Sequence, residues 1–385
     1  MTDGDFRDWF CLKDGRDNYS IVPERDQEFL FGEAEWRDQI EEALKVSLYL
    51  KEPVRLVWWG QYGIGKTHRV LYMKHVIARD KMSFYPVYVL SRDVADKSGF
   101  ERLHYDLVNS LVYQQMRSLV ASYLKKIELG ISKAELFDRL TSVVDVANAM
   151  RRLGDSEDDI SSASWRFLTG QELSKDQLKL AKVSKNEMDS SVEYAATLKC
   201  LATVIQAETE KQLLYLIDQA EAFTKITNRN AEAAWVETFR AILDLPNVGI
   251  VFCIGAERME GIPTIVLAPE IVSRFKQNNY LQIPAYEQQV AADFLKGLLG
   301  EWTDRSKLDA AVREHDLSKV AGFDRSTYPF TDTAFDVFCR FLTIDPRLAK
   351  PREIIERLNK ATVTAFMRHE RVITPDVLTR QGITA

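Results

Sequence analysis

The chain of 385 residues lacks the features that mark secreted proteins, membrane-spanning proteins and proteins that hold a metal through clustered cysteines and histidines. Its four cysteines stand far apart with no C-x-x-C pair, which predicts reduced thiols and not a disulfide framework. No apolar run approaches the roughly 18 residues of a membrane span. The acidic N-terminus has no signal-peptide pattern, and the five histidines form no metal-ligand cluster. We therefore expect a cytoplasmic protein without a membrane partner.

Positive charge is also in deficit. The chain has 51 lysines and arginines against 57 aspartates and glutamates, a net charge of −6. This balance does not by itself indicate nucleic-acid binding, although a local basic patch is enough for it. The apolar fraction of 46% and the charged fraction of 28% are those of a globular protein with roughly two or three domains. Composition therefore leaves the function to the motifs.

The most specific motif is an octapeptide with the pattern G-x-x-x-x-G-K-T, which occupies residues 60–67. It follows an apolar run at 54–59 and precedes a helical pattern, which is the strand–turn–helix setting that the motif requires. Glycines let successive backbone N–H groups surround phosphate oxygens, and the helix N-terminus adds its positive dipole. Lys66 would contact the β- and γ-phosphates, and the Thr67 hydroxyl would bind Mg²⁺. The motif predicts a nucleoside triphosphate site.

A second motif, which is acidic, lies downstream of the glycine-rich one. Residues 213–217 are a continuous apolar run, as expected of a strand covered on both faces, and they lead into Asp218-Gln219-Ala220-Glu221. An acidic residue at the end of a buried strand is the usual second half of a P-loop site. Asp218 would hold Mg²⁺, directly or through water, and polarise the γ-phosphate.

Strand patterns alternate with helical patterns, which predicts an α/β fold with a parallel sheet flanked by helices. The predicted strands are 54–59, 84–90, 213–217, 248–254 and 280–283. Pro86 favours an edge position for the second of them. We expect an N-terminal segment and helix over 1–52, a P-loop core over 53–285 with a helical insertion at about 130–195, and a small all-α lid domain over 286–385.

In these motifs and their order, the sequence resembles the AAA+ ATPases, and within them the origin-recognition and replication-initiator group with the related transposition-regulator ATPases. The resemblance extends from about residue 21 to the C-terminus. Residues 60–67 resemble Walker A, and LLYLIDQAE at 213–221 resembles Walker B. The weaker similarities are a segment that packs on adenine at 21–26 and 31–35, an arginine-finger box at 270–275, a lid-helix motif with the sensor 2 arginine at 350–355, and the start of the last lid helix at 372–377.

The resemblance implies ATP and Mg²⁺ as cofactors, ATP hydrolysis, and assembly of identical subunits into a ring or filament. It also implies double-stranded DNA and further proteins as partners. The implied catalytic residues are Lys66, Asp218, Gln219, Glu221, Arg274 and Arg352, with Arg347 as a rival to Arg352. The implied nucleotide contacts are Gly60, Gln61, Tyr62, Gly63, Ile64, Gly65, Lys66, Thr67, His68 and Val22, and the implied metal ligands are Thr67 and Asp218.

The sequence departs from the family in three places. Gln219 stands where the family has the glutamate that activates water, and an amide cannot take that proton. Two explanations stay open: a hydrolysis-defective Glu-to-Gln form, or a native Gln219 with Glu221 assisting. No polar sensor residue is evident at 255–257. The long insertion, and an end without room for a winged-helix domain, weaken the inference to sequence-specific origin binding.

Two other functions remain open. One is a signalling switch of the STAND type, in which nucleotide controls oligomerisation without nucleic acid. The other is a P-loop kinase, against which Arg274, the Pro351-Arg352 pair and the helical lid argue. If DNA is bound, little sequence preference is expected, because the contacts would be local basic residues meeting phosphates. The candidates lie in the insertion: Arg151, Arg152, Lys175, Lys179, Lys182 and Lys185.

Overall fold

The structure is a computed structural model that describes residues 3–91, 99–130 and 136–384. The described residues contain one sheet of five parallel strands in the order β2-β3-β4-β1-β5. The strands are β1 (Arg55–Gly60), β2 (Phe84–Leu90), β3 (Gln212–Asp218), β4 (Val248–Gly255) and β5 (Tyr280–Gln282). Each agrees with its predicted strand to within one residue at either end, and β2 lies at the edge that Pro86 predicted. The predicted α/β fold is confirmed.

Helices precede, separate and follow these strands along the chain. Those before β3 are α1 (Asp3–Trp9), α2 (Ala34–Leu50), α3 (Lys66–Arg79), α4 (Glu101–Asn109), α5 (Tyr113–Glu128), α6 (Phe137–Leu140), α7 (Val144–Leu153), α8 (Asp158–Leu168), α9 (Lys175–Ala181) and α10 (Ser191–Thr209). A 3₁₀ helix (Ala220–Lys225), α11 (Arg229–Leu243), α12 (Thr264–Leu267) and α13 (Pro269–Phe275) follow β3. After β5 come α14 (Gln288–Trp302), α15 (Arg305–Glu314), α16 (Asp332–Ile344), α17 (Pro351–Met367) and α18 (Pro375–Arg380). Further 3₁₀ turns span Met259–Gly261, Gln277–Asn279 and Leu317–Lys319. None of the described helices is long and apolar enough to cross a membrane.

Residue contacts divide the chain into two units. The first contains Met1–Ile40, Gln61–Tyr72 and Ile283–Ala385, and the second contains Glu41–Gly60 and Met73–Gln282. The P-loop after Gly60 therefore groups with the N-terminal segment and the C-terminal helices. No sequence pattern indicated that grouping. The domain boundaries at 52 and 285 stay a prediction.

The second unit is organised around the parallel sheet. Every residue of β3 after Gln212 is buried, and so is every residue of β4 before Gly255. Such strands read as continuous apolar runs because helices cover both faces of the sheet. The pairing sets Gly60 of β1 beside Gly255 of β4.

An aromatic cluster fixes the chain that follows β3. Trp235 of α11 is fully buried, with its ring centroid 5.0 Å from those of Phe100 and Phe223. Phe239 of the same helix packs edge-on against Phe252 of β4 at 5.3 Å. Since Phe223 belongs to the 3₁₀ helix that starts just after Asp218, this burial holds that helix against α11 and the sheet.

The first unit has its own core, which α14, α16 and α17 share with the N-terminal segment. Phe10 and Tyr19 are fully buried there together with Trp302 and Phe338. Gly32, with φ of +65°, comes so close to α14 that a Cβ atom on it would lie 2.5 Å from the backbone nitrogen of Phe294. Only glycine fits this approach, and it anchors the chain entering α2.

Two further patterns in the sequence predict local structure incorrectly: a helical pattern predicts one helical region over about 100–126, and an acidic polar run predicts a loop over 154–159. The helical pattern over 100–126 is two helices, α4 and α5, separated at residues 110–112. The acidic segment 154–159 is a loop only in part, because Asp158 and Asp159 form the first turn of α8. Acidic side chains in a first turn interact favourably with the positive end of the helix dipole, so an acidic run can begin a helix.

Candidate nucleotide-binding site

The P-loop is a tight turn between β1 and α3. Gly63 and Gly65 have φ values of +80° and +89°, a region that side chains disfavour. Lys66 starts α3 and extends back over the turn, where its Nζ donates a hydrogen bond of 3.0 Å to the carbonyl oxygen of Gln61. The Tyr62 side chain is 66% exposed, and the Lys66 Nζ lies 5.5 Å from the centroid of its ring. This conformation matches the strand–turn–helix that the motif predicts.

Helix α17 meets the P-loop at its first residues. Pro351 is in the first turn of the helix, where its missing N–H costs nothing. The Arg352 N–H lies 3.4 Å from the Gly63 carbonyl oxygen, and a Cβ atom on Gly63 would be only 3.2 Å from the Arg352 Cβ. Arg347, the rival candidate, is instead held by Asp345 at 2.7 Å on the exposed surface. The structure therefore brings Arg352 to the P-loop.

The segment that carries Val22 is held by a buried carboxylate. Val22 is 42% exposed, and its N–H donates a 2.8 Å hydrogen bond to Asp26, which is fully buried. Arg16 donates two hydrogen bonds to the same carboxylate, at 2.7 and 2.9 Å, and Arg25 donates two more, at 3.0 and 3.4 Å. Burial opposes ionisation of Asp26, but these donors outweigh it and lower the pKa of its carboxyl. The segment is thus ordered by charge-assisted hydrogen bonds.

His68 links α3 to the same N-terminal segment. Its Nε2 atom is hydrogen-bonded to the backbone carbonyl of Phe29. Burial lowers the pKa of the His68 ring, and the hydrogen bond to Phe29 partly opposes this. This hydrogen bond connects the residue directly after the P-loop to the N-terminal segment.

The acidic motif lies at the carboxyl end of β3. Asp218 is 2% exposed and accepts hydrogen bonds from the Tyr88 hydroxyl at 3.0 Å and from the Gln219 N–H at 2.9 Å. Gln219 has a left-handed backbone with φ of 58° and immediately precedes the 3₁₀ helix. Glu221 turns to the neighbouring strand, where its carboxylate accepts a 2.7 Å hydrogen bond from the N–H of Gly255.

The Glu221 contact occupies the strand end where no sensor residue was evident in the sequence. Gly60, Asp218 and Gly255 end three strands of the same parallel sheet. Ligands of open parallel sheets bind at this carboxyl edge. Sequence reasoning missed the contacts of Tyr88 and Gly255, because neither residue carries a motif and their partners are 130 and 34 residues away.

Arg274, the candidate arginine finger, has a partner within its own chain. Its Nε and Nη2 atoms donate to the two carboxylate oxygens of Asp244 at 2.7 and 2.9 Å, and its Nη1 donates to the carbonyl of Glu270. The hydrogen bonds from Arg274 lower the pKa of Asp244. Since 27% of the Arg274 side chain is exposed, this is a partly solvated pair.

Most basic candidates in the insertion are also paired with carboxylates. The ion pairs are Arg151 with Asp138, Arg152 with Asp155, Lys179 with Asp176, and Lys185 with both Asp189 and Glu193. Lys175 and Lys182 lie exposed beside them. The insertion is therefore a surface of mixed charge. Among the described residues, no group of three histidine, cysteine or acidic side chains could hold a metal ion by itself.

Comparison with known proteins connects this geometry to a fold. No family model matches the sequence, and no curated protein matches it. The ORC2 protein of Aeropyrum pernix, solved as ADPNP–ADP complexes, is 12% identical over 96% of this chain and 71% of its own, with a TM-score of 0.50. Cdc6p from Pyrobaculum aerophilum is 11% identical over 100% and 72%, with a TM-score of 0.47. The ORC1 protein of Aeropyrum pernix, solved in complex with DNA, is 13% identical over 97% and 68%, with a TM-score of 0.43.

This chain has an all-parallel sheet, with the P-loop directly after β1, and a set of C-terminal helices. The likeness to ORC2 concerns the fold, since the identity is 12%. The chain therefore has a fold similar to that of this ORC2 protein, which agrees with the predicted resemblance to origin-recognition proteins.

Proposed function

We propose that this protein binds ATP with Mg²⁺ at the P-loop and uses the nucleotide to control assembly of identical subunits on double-stranded DNA. The observation that carries the proposal is the turn itself, in which Gly63 and Gly65 have positive φ values and Lys66 reaches back over the loop. A turn of this kind at a helix N-terminus presents N–H groups and a positive dipole to phosphate. Arg352, beside Gly63, would add a positive charge to the same ligand.

In this proposal Thr67 and Asp218 hold Mg²⁺, since a hydroxyl and a carboxylate are oxygen ligands that this ion prefers. Most of its other ligands would be phosphate oxygens and water. Mg²⁺ held by these two residues would supply positive charge to a bound triphosphate. Asp218 is buried at the end of β3 and held by Tyr88, so its carboxylate is oriented before any ligand arrives.

The first prediction tests nucleotide binding. ATP with Mg²⁺ should raise the melting temperature, because a ligand at 100 times its Kd stabilises the folded state by about 2.7 kcal/mol. Lys66→Ala should abolish this shift, as measured by differential scanning fluorimetry. Lys74→Ala is the matched control, since Lys74 lies exposed on the same helix and should leave the shift unchanged. A shift that survives Lys66→Ala would contradict the P-loop assignment.

The second prediction concerns hydrolysis. Gln219 cannot accept a proton from water, so this chain should accumulate the ATP-bound form, while Gln219→Glu should release phosphate about 10²–10⁴ times faster. Both forms should bind ATP equally well. Phosphate release under single-turnover conditions measures the difference.

Glu221→Gln separates the two explanations of Gln219. Glu221 is fixed by the Gly255 N–H at the carboxyl edge of the sheet, where it could assist a native Gln219. If Gln219 replaces a lost base, Glu221→Gln should leave the low rate unchanged. Equal rates for the unchanged chain and Gln219→Glu, with a loss in Glu221→Gln, would mean that Gln219 is native and Glu221 acts on the water.

The third prediction concerns assembly. If Arg274 neutralises charge on the nucleotide of a neighbouring subunit, Arg274→Ala should keep ATP affinity and lower oligomerisation or turnover. Asp244→Asn is the matched control, because it removes the same ion pair but keeps the guanidinium. Size-exclusion chromatography with light scattering, with and without ATP, measures the oligomer.

Mixing adds a second criterion for Arg274. Subunits with Lys66→Ala and subunits with Arg274→Ala should together recover some activity, since one complete composite site can form between them. Equal losses in Arg274→Ala and Asp244→Asn would show that the arginine only stabilises its own chain. A monomer under every nucleotide condition would refute the assembly proposal.

The fourth prediction concerns DNA. Lys179 and Lys182 lie exposed in the insertion, and reversing both to Glu should weaken binding to all duplexes alike without changing ATP affinity. Reversing Lys319 and Lys360 is the matched control, because each is exposed and paired with a carboxylate on its own helix or turn. Fluorescence anisotropy at several salt concentrations measures affinity and its slope against log salt.

One observation favours a second function, a STAND-type switch that acts through protein partners. Four of the six basic candidates are paired with carboxylates, which reduces the positive field that DNA would meet. Phosphate contacts are strongest at low salt, so DNA binding should be tested at ~50 mM salt with ATP present. Absence of binding under these conditions would favour the switch.

A further inference from the structure

A buried group of polar side chains supports the P-loop from within the first unit. Arg69, in the first turn of α3, is 1% exposed, and Glu33, just before α2, is 5% exposed. Their side chains form an ion pair at 2.5 Å. Glu33 also accepts a hydrogen bond from the Tyr286 hydroxyl, and the Arg69 guanidinium lies 5.1 Å from the ring centroid of Trp36. Buried charges are costly without partners, and here each has one.

Arg69 controls the direction of two peptide groups in the P-loop. Its Nη1 atom donates a 2.7 Å hydrogen bond to the carbonyl oxygen of Ile64. Because a peptide group is planar and trans, fixing the Ile64 carbonyl turns the N–H of Gly65 in the opposite direction. The backbone N–H of Arg69 binds the Gly65 carbonyl at 3.1 Å and orients the Lys66 N–H in the same way.

The same group connects the P-loop to the start of α17. The Tyr286 N–H donates a 2.8 Å hydrogen bond to the carbonyl of Ala349, two residues before Pro351 opens that helix. The next residue, Arg352, approaches the Gly63 carbonyl with its N–H. A continuous series of polar contacts therefore connects Ile64 of the P-loop to Arg69, Glu33 and Tyr286. It continues through the start of α17 to Gly63, on the same loop.

We propose that Arg69, Glu33 and Tyr286 are positioning residues that hold the P-loop N–H groups in their phosphate-binding directions and couple nucleotide affinity to the placement of Arg352. The inference rests on the proposed ATP site and deepens it. The three residues act through the peptide groups of Ile64 and Gly65. Loss of the Tyr286 hydroxyl removes a hydrogen bond from Glu33, so that Glu33 holds Arg69 less firmly. Arg69 then orients the Ile64 carbonyl less firmly, and with it the N–H groups that would bind ATP.

Tyr286→Phe tests the proposal because it removes one oxygen atom and keeps the ring. Its matched control is Tyr328→Phe, which alters a tyrosine of the same unit that is 1% exposed and whose hydroxyl lies 3.4 Å from the Trp9 carbonyl. Both variants should lower the melting temperature. Only Tyr286→Phe should raise the Kd of a fluorescent ATP analogue, by about 5- to 10-fold, at a temperature where both are folded by circular dichroism.

Two further variants complete the test. Glu33→Gln should raise the Kd in the same direction as Tyr286→Phe. In the double variant Tyr286→Phe/Arg352→Ala, the two effects on Kd should not multiply, because residues of one network are not additive. Unchanged Kd values in Tyr286→Phe and Glu33→Gln, with lowered melting temperatures, would reduce the network to a structural role and overturn the inference. Absence of ATP binding by the unchanged chain would refute the proposed function instead.

Discussion

Phosphate recognition by a P-loop depends on the direction in which a few backbone N–H groups point, and this constraint organises the first unit. Gly63 and Gly65 supply the positive φ values that turn the chain. The carbonyl that precedes Gly65 is held by the Arg69 guanidinium, and the Gly63 carbonyl is approached by the N–H of Arg352. The nucleotide would thus meet peptide groups that are already oriented, which lowers the ordering cost of binding.

The parallel sheet has the corresponding role in the second unit. Its buried strands are fixed by helices on both faces, and its carboxyl edge carries Asp218 and the start of the P-loop at Gly60. The aromatic cluster around Trp235 holds the 3₁₀ helix after β3, so that Glu221 can reach the N–H of Gly255. The Glu221 carboxylate, which follows β3, therefore accepts a hydrogen bond from the backbone at the end of β4.

The proposed contacts with other molecules must compete with ion pairs inside the chain. Arg274 is held by Asp244, and Lys179 by Asp176. An exposed pair such as Lys179–Asp176 contributes only about 0.2–1 kcal/mol, so a phosphate group could replace that carboxylate at small cost. Arg274 binds Asp244 through two hydrogen bonds, so a neighbouring nucleotide would have to displace a stronger contact.

Local patterns in the sequence determined the elements of the fold. Continuous apolar runs predicted β3 and β4, because a strand that is buried on both faces has apolar side chains at nearly every position. The glycine-rich motif predicted the turn after β1, and Pro86 predicted the edge strand, since both residue types restrict the backbone locally. Element ends were less certain, as Asp158 and Asp159 show, because acidic residues suit both a loop and the first turn of a helix.

Only the tertiary structure decided which distant side chains support the site. Glu33 and Tyr286 are 253 residues apart, and Arg274 and Asp244 are 30 apart, so no period or motif connects either pair. The grouping of residues 1–40 with the C-terminal helices likewise depends on burial of Phe10 and Tyr19 against α14, α16 and α17. A local pattern reports the conformation of neighbouring residues. A buried charge needs a partner that is close in space, at any distance along the sequence. Which residue becomes that partner therefore depends on how the whole chain packs.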